Sequence, residues 1–142
     1  MKMIVLRGLP GAGKSTRAKE IVKETMFENK TSAVCSADNF FIDRNSCEYK
    51  FDGRKLTEAH SWCKGGADMA MKLATDVVVI DNVSSQKWEY EPYIEIANHY
   101  GYEVVEETVG GRSEQEIKEY HNRNKHGVPL EAIRKMANRW QE

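Results

Sequence analysis

One nine-residue segment constrains the fold of this chain more than any other feature. Residues 8–16 read GLPGAGKST and match the pattern G-x-x-x-x-G-K-[ST] in full. The segment follows a short apolar run at residues 2–7, which is typical of a buried strand, and it precedes a helical pattern at 15–28. From ordinary residue frequencies, a random chain of this length matches the pattern about once in a few hundred tries. The sequence therefore begins with a strand–loop–helix unit.

The residue types in this loop are suited to binding a nucleoside triphosphate. Glycines allow backbone N–H groups to turn inward around a phosphate, and the following helix adds its positive dipole end. In this pattern Lys14 would reach the β- and γ-phosphates and Ser15 would ligate Mg²⁺. The predicted nucleotide-binding residues of the loop are Gly11, Ala12, Gly13, Lys14, Ser15 and Thr16.

The rest of the chain alternates strands with helices. Strands are predicted at 32–36, 77–80 and 102–108, helices at 55–74, 87–100, 113–123 and 129–141, and a long loop at 37–54. The order β-α-β-α-β-α-β-α-α predicts an α/β fold with a doubly wound parallel sheet of about four to five strands. Ligands of such sheets bind beyond the carboxyl ends of the strands. A site is therefore expected just after residues 7, 36, 81 and 108.

Composition argues against several classes of protein. The chain has 142 residues and a net charge of −1, from 21 basic and 22 acidic side chains, which excludes a basic nucleic-acid coat protein. No 18-residue apolar run is present, so we expect neither a membrane span nor a signal peptide. Three cysteines are an odd number and favour a reducing, cytoplasmic location. His60 and Cys63 stand alone without a C-x-x-C pair, so no structural zinc is expected.

Carboxylates follow the second and third predicted strands. Asp38 would face the γ-phosphate across the cleft, and phosphoryl transfer to a hydroxyl needs a group that orients the hydroxyl and takes its proton. Asp38 is therefore the candidate base. Asp81 ends the third strand, where an aspartate beside a phosphate loop commonly holds the Mg²⁺ shell, and it could also contact the acceptor. The alternative for both residues is an aspartate that bonds its own turn.

Two arginines in the segment 110–128 are candidates for stabilising the transferred group. Charge builds on the equatorial oxygens of the phosphoryl group, so an arginine delivered by a mobile segment would stabilise it. Arg123 is preferred because it lies near a helix end, just before a Gly-Val-Pro turn, and Arg112 is the second candidate. The remaining charges of this segment are interpreted as a solvated surface.

These segments together resemble the polynucleotide-kinase-like branch of the P-loop kinases. That branch includes the bacteriophage polynucleotide 5′-hydroxyl kinases and a eukaryotic subgroup of predicted AAA-type, ATP-binding kinases. The resemblance to the eukaryotic subgroup covers nearly the whole chain. The matching positions are 11–16, 36–41, 49, 51, 56–63, 80–82, 88–89, 92–93, 101–102, 123–129, 136 and 139–140.

The resemblance implies a particular enzyme. It implies one P-loop kinase domain over residues 1–142, similar to adenylate kinase in fold, with a helical lid at roughly 110–128. ATP and Mg²⁺ are the implied cofactors, with Asp38 as the base and Arg123 as the lid arginine. No phosphatase or ligase domain is expected in the chain, so it would not be a complete end-healing enzyme.

Two departures from the family pattern fall where the acceptor would bind. The phage kinases carry an arginine shortly after the base that helps to hold the acceptor phosphate, and here Phe41 stands near that position. Arg44 or Arg54 would have to substitute for it. After the third strand the eukaryotic subgroup usually reads Asp-Asn-Thr-Asn, whereas residues 81–84 read DNVS. The candidate acceptor-binding residues are Asp38, Phe41, Arg44, Arg54, Asp81 and Asn82.

The leading hypothesis is transfer of the ATP γ-phosphate to the 5′-OH end of a polynucleotide. The alternatives are a kinase acting on a hydroxymethyl group of a modified DNA base, a nucleoside or small-molecule kinase, and a non-enzymatic, NTP-binding regulatory module. A GTPase is disfavoured, because the chain has no Asn-Lys-x-Asp motif. The excess of basic residues lies at 1–31 and 108–142, which predicts a small, salt-sensitive contact with a nucleic-acid end. The oligomeric state is left open.

Overall fold

Four parallel strands form one sheet. The structure is a computed structural model that describes residues 1–142. Neighbouring strands are parallel in all three pairings, and the order across the sheet is β2-β3-β1-β4. The strands are β1 (Lys2–Arg7), β2 (Ser32–Cys35), β3 (Val77–Asp81) and β4 (Glu103–Thr108). The predicted parallel α/β architecture is confirmed.

Helices cover both faces of the sheet. They are α1 (Lys14–Phe27), α2 (Leu56–Lys72), α3 (Lys87–His99), α4 (Glu114–Arg123) and α5 (Leu130–Asn138). Successive side chains of a strand point to opposite faces. Thus Val78 and Ile80 of β3 pack with α2 and α3, whereas Val77 and Val79 pack with α1. A strand buried on both sides requires the continuous apolar run that β3 has.

Two predictions about local structure are wrong. The region 37–54 is not irregular throughout, because Ala37–Phe41 and Gly53–Lys55 each form a short 3-10 helix. Helix α5 ends at Asn138 and not at 141. The chain leaves the helix because Gln141 binds elsewhere: its backbone N–H donates to a carbonyl in the loop after β3 at 2.8 Å. No helix of the protein combines the length and the apolar character that a membrane span requires.

A buried arginine holds the C-terminal segment against the sheet. Arg7, at the end of β1, is 4% exposed and donates to the carbonyl oxygens of Ser84 at 2.9 Å and Ser85 at 3.3 Å. Its guanidinium carbon also lies 4.6 Å from the ring centroid of Trp140. The guanidinium carbon of Arg112 lies 4.5 Å from the same ring. Two cations therefore contact one indole and dock the end of the chain.

Trp140→Ala is expected to lower the free energy of unfolding by about 2–4 kcal/mol, because it removes a large packed ring and two cation–π contacts. Trp88→Ala is the matched control, since Trp88 is 67% exposed. That variant is expected to lose less than about 1 kcal/mol. Urea unfolding followed by far-UV circular dichroism measures both values. Equal losses in the two variants would contradict a docking role for Trp140.

Candidate active site

The glycine-rich loop curves tightly around the start of α1. Gly11 and Gly13 have φ angles of +84° and +108°, a region that strains residues with a side chain. A Cβ atom on Gly11 would also lie 2.5 Å from the carbonyl oxygen of Tyr120 in α4. The loop therefore needs glycine here both for its own curvature and for its close contact with α4.

Apolar side chains of the glycine-rich loop pack into a small core and hold the loop in place. Leu9 and Ala12 are buried in a small core with Ile117 and Tyr120 of α4 and Ile133 of α5. The position of these two helices is thus coupled to that of the loop. The segment 110–128, predicted as a lid, packs directly on the loop that would bind phosphate.

Lys14 begins α1 and presents an ammonium group without an ion-pair partner. Its Nζ donates only to the carbonyl oxygen of Leu9, at 3.3 Å. Burial lowers the pKa of Lys14, and the negative charges of Asp81 and Asp38 oppose that shift. A desolvated cation is costly unless an anion compensates it. The surroundings of Lys14 therefore favour binding of an anion such as a phosphate.

Ser15 and Asp81 form a pair of oxygen ligands beside Lys14. The Ser15 hydroxyl donates to Oδ2 of Asp81, with 3.2 Å between the oxygens. Burial at the end of β3 raises the pKa of Asp81, whereas Lys14 and Ser15 lower it. No three His, Cys, Asp or Glu side chains cluster as a metal site. Mg²⁺ is commonly bound by one or two protein oxygens with phosphates and water, and this pair fits that pattern.

Asp38 lies in the 3-10 helix directly after β2, with its carboxylate 55% exposed. The Tyr49 hydroxyl donates to Oδ1 at 3.4 Å, and Nε2 of His126 lies 3.8 Å from Oδ2. Burial, together with the charge of Asp38, raises the pKa of Tyr49 to about 12, so the phenol keeps its proton at neutral pH. The structure thus brings Asp38 to the same end of the sheet as Lys14 and Asp81.

Asn82 uses both of its polar atoms within the protein. Its Oδ1 accepts from the backbone N–H of Ala37 at 2.9 Å, and its Nδ2 donates to Sγ of Cys63 at 3.7 Å. These bonds tie the end of β3 to the helix that carries Asp38. Asn82 thus positions this helix, and its predicted contact with an acceptor stays a prediction.

The two candidate arginines lie in different places. Nε of Arg123 donates to the carbonyl oxygen of Gly11 at 2.7 Å, which places the guanidinium on the phosphate loop. Arg112 instead pairs with Glu142 at 2.8 Å and contacts Trp140. The structure thus places the side chain of Arg112 on the C-terminal segment, and its predicted contact with phosphate stays a prediction.

The other residues predicted to bind the acceptor also lie in different surroundings. Phe41 is 6% exposed and packs against Phe51, with ring centroids 5.1 Å apart. Its predicted contact with an acceptor stays a prediction. Arg44 is exposed in a turn. Arg54 is exposed and pairs with Asp52 at 3.0 Å. Both arginines remain candidates for holding an acceptor phosphate.

A groove opens between the two 3-10 helices, the first of which carries Asp38. Apolar, basic and acidic side chains line it: Phe40, Phe41, Ile42, Asp43, Lys50, Phe51, Asp52, Arg54 and Lys55. Sequence reasoning missed this groove, and it also missed His126, whose ring centroid lies 4.1 Å from that of Tyr49. The contact of His126 with Tyr49 joins residues far apart in the sequence, and no local pattern predicts it.

Comparison with known proteins shows the family of the chain. A family model described as an AAA domain matches residues 3–142. The chain belongs to this AAA domain family. Human NEDD4-binding protein 2 is 32% identical over 139 residues, which cover 98% of this AAA domain chain and 8% of that protein. The chain thus spans less than a tenth of the length of that relative.

Solved structures share the fold of this AAA domain. A chain of the Pnkp1/Rnl/Hen1 RNA repair complex aligns with a TM-score of 0.70 at 16% identity, covering 97% of this chain and 43% of that chain. Kti12 from Chaetomium thermophilum, in complex with ADP-AlF3, aligns with a TM-score of 0.63 at 18% identity. The alignment covers 99% of this chain and 80% of the Kti12 chain. At such identities the likeness shows the fold alone. It is the P-loop NTPase fold, as predicted.

Proposed function

We propose that residues 1–142 act as one kinase domain, which transfers the γ-phosphate of ATP to the 5′-OH end of a polynucleotide. One observation carries the proposal: the carboxylates of Asp81 and Asp38 lie at the same end of the sheet as the ammonium of Lys14, which is influenced by both charges but forms an ion pair with neither. The cation suits a polyphosphate, and the exposed carboxylate across the cleft suits an acceptor hydroxyl. Phosphoryl transfer requires these two functions side by side.

The donor side consists of the loop and the start of α1. Lys14 would bind the β- and γ-phosphates, and Ser15 with Asp81 would hold Mg²⁺. When bound, Mg²⁺ neutralises charge on the phosphate oxygens. The structural likeness to Kti12, described with bound ADP-AlF3, supports a nucleotide as the ligand.

The chemical step needs little beyond positioning and charge. Asp38 would accept the proton of the acceptor hydroxyl as that oxygen bonds to the γ-phosphorus, while the bond to the β–γ bridging oxygen breaks and ADP leaves. Arg123 would direct its terminal N–H groups to the transferring phosphoryl group while its Nε stays bonded to the carbonyl oxygen of Gly11. The segment 110–128, as a lid, would hold Arg123 in this position.

The groove between the two 3-10 helices supports a polymeric acceptor. Phe51 is 55% exposed within it, and exposed aromatic rings bind nucleobases by stacking. Lys50 and Arg54 pair with Asp43 and Asp52 at 3.1 and 3.0 Å. Exposed ion pairs contribute little free energy, so these cations can exchange their carboxylates for backbone phosphates. The structural likeness to a chain of an RNA repair complex favours the same substrate class.

Transfer from γ-labelled ATP with Mg²⁺ tests the proposal. DNA and RNA oligonucleotides with a 5′-OH are offered beside their 5′-phosphorylated counterparts, a hydroxymethyl-base duplex and free nucleosides. We expect label only on the 5′-OH oligonucleotides, and Lys14→Met, prepared in parallel, excludes a contaminating kinase. Label on internal bases or nucleosides would show one of the other kinase activities. ATP binding with no labelled acceptor would instead support a regulatory, NTP-binding module.

A further inference from the structure

His126 lies in the same loop as Arg123 and near the carboxylate of Asp38, the proposed base. No sequence motif assigns a role to His126. We propose that His126 is a positioning residue, which orients the carboxylate of Asp38 for proton acceptance when its loop is seated on the phosphate loop. This inference rests on the proposed kinase activity. It adds a residue through which the donor side and the acceptor side of the cleft act together.

The carboxylate of Asp38 needs such a partner. It is largely exposed and stands on a helix of five residues, so little packing fixes its orientation. Tyr49 donates to Oδ1, and His126 approaches Oδ2 from the opposite segment of the chain. A carboxylate offers about four lone pairs, so both contacts leave acceptor capacity for a substrate hydroxyl. The two contacts would fix the plane of the carboxylate without blocking it.

The turn that carries His126 reaches from the phosphate loop towards Asp38. At its start, Arg123 bonds to the carbonyl oxygen of Gly11 at 2.7 Å. The side chain of Asn124 then accepts the backbone N–H of His126 at 2.8 Å, and Gly127 continues with a φ angle of +67°. This local geometry fixes the spacing between Arg123 and His126. With the arginine seated on the phosphate loop, the imidazole lies against the ring of Tyr49, with Nε2 3.8 Å from Oδ2 of Asp38.

Two substitutions at His126 distinguish a role in positioning Asp38 from a role in packing against Tyr49. His126→Gln keeps an N–H donor near the place of Nε2 but removes the ring, whereas His126→Phe keeps a ring against Tyr49 but removes the donor. We expect His126→Ala to lower kcat by roughly ten- to a hundredfold, the cost of a small misplacement of a reacting group. His126→Gln should recover most of this loss and His126→Phe little of it. KM for ATP should stay within about threefold in all three variants.

Two further measurements complete the experiment. His121→Ala, an exposed histidine of α4, is the matched control and should leave kcat unchanged. In an Asp38→Asn background, His126→Ala should cost almost nothing more, because His126 acts through Asp38. Recovery by phenylalanine but not glutamine, or full additivity of the two losses, would overturn the positioning role. Absence of transfer by the wild-type protein would refute the kinase activity itself, and the inference with it.

Discussion

Arg123→Ala is expected to lower kcat by about 10³- to 10⁵-fold while changing the affinity for ATP by no more than about threefold. The reason is that negative charge on the transferred phosphoryl group is largest in the transition state. Arg123 ends α4 with its guanidinium on the phosphate loop, bonded to the carbonyl oxygen of Gly11. A cation held there acts on the transition state more strongly than on bound ATP.

Arg112→Ala is the matched control for this prediction. Arg112 belongs to the same predicted lid, but its side chain binds Glu142 and Trp140. Its loss should leave kcat within about threefold at temperatures well below unfolding. Steady-state transfer assays give kcat and KM, and calorimetric titration gives the Kd for ATP. A loss that appears equally in ATP affinity would mean that Arg123 binds the ground state and the transition state alike.

Local patterns were sufficient to predict most of the fold. The apolar run of β3 and the glycine-rich junction between β1 and α1 define their elements without reference to the rest of the chain. The order β2-β3-β1-β4 lies beyond such patterns, because it depends on which strands pair across long separations. The end of α5 could not be predicted for a related reason. The pattern of residues 139–141 is typical of a helix, and only the bonds of this segment to the loop after β3 show that the helix ends earlier.

The candidate site likewise has contacts that local patterns predict and contacts that they do not. Lys14, Ser15, Asp81 and Asp38 follow strands, and parallel strands bring their carboxyl ends to one edge, so their proximity was predictable. Arg112 and Arg123 could be ranked only by their distance from a helix end, because their placement is decided by Trp140 and Gly11. The contact of His126 with Asp38 arises between segments that no spacing rule connects. Tertiary packing, and not residue type, decides such contacts.

Asp38→Asn is expected to lower kcat by about 10²- to 10⁴-fold, the usual contribution of a general base, with little change in the Kd for ATP. The amide keeps the size of the side chain and can still contact Tyr49, but it cannot accept the proton of the acceptor hydroxyl. Glu48→Gln, in the same loop, removes one exposed carboxylate as a matched control and should leave kcat unchanged. Single-turnover transfer measures the chemical step directly.

Comparison with Asp81→Asn distinguishes the base from a metal ligand. Asp81 pairs with Ser15 beside the phosphate loop, so its substitution should weaken Mg²⁺ binding, and raised Mg²⁺ should recover part of the activity. The loss in Asp38→Asn should not respond to Mg²⁺, because the missing function is proton acceptance. If Asp38→Asn kept more than about a tenth of the wild-type rate, a general-base role for Asp38 would be wrong. If Mg²⁺ recovered Asp38→Asn instead of Asp81→Asn, the two carboxylates would have to exchange roles.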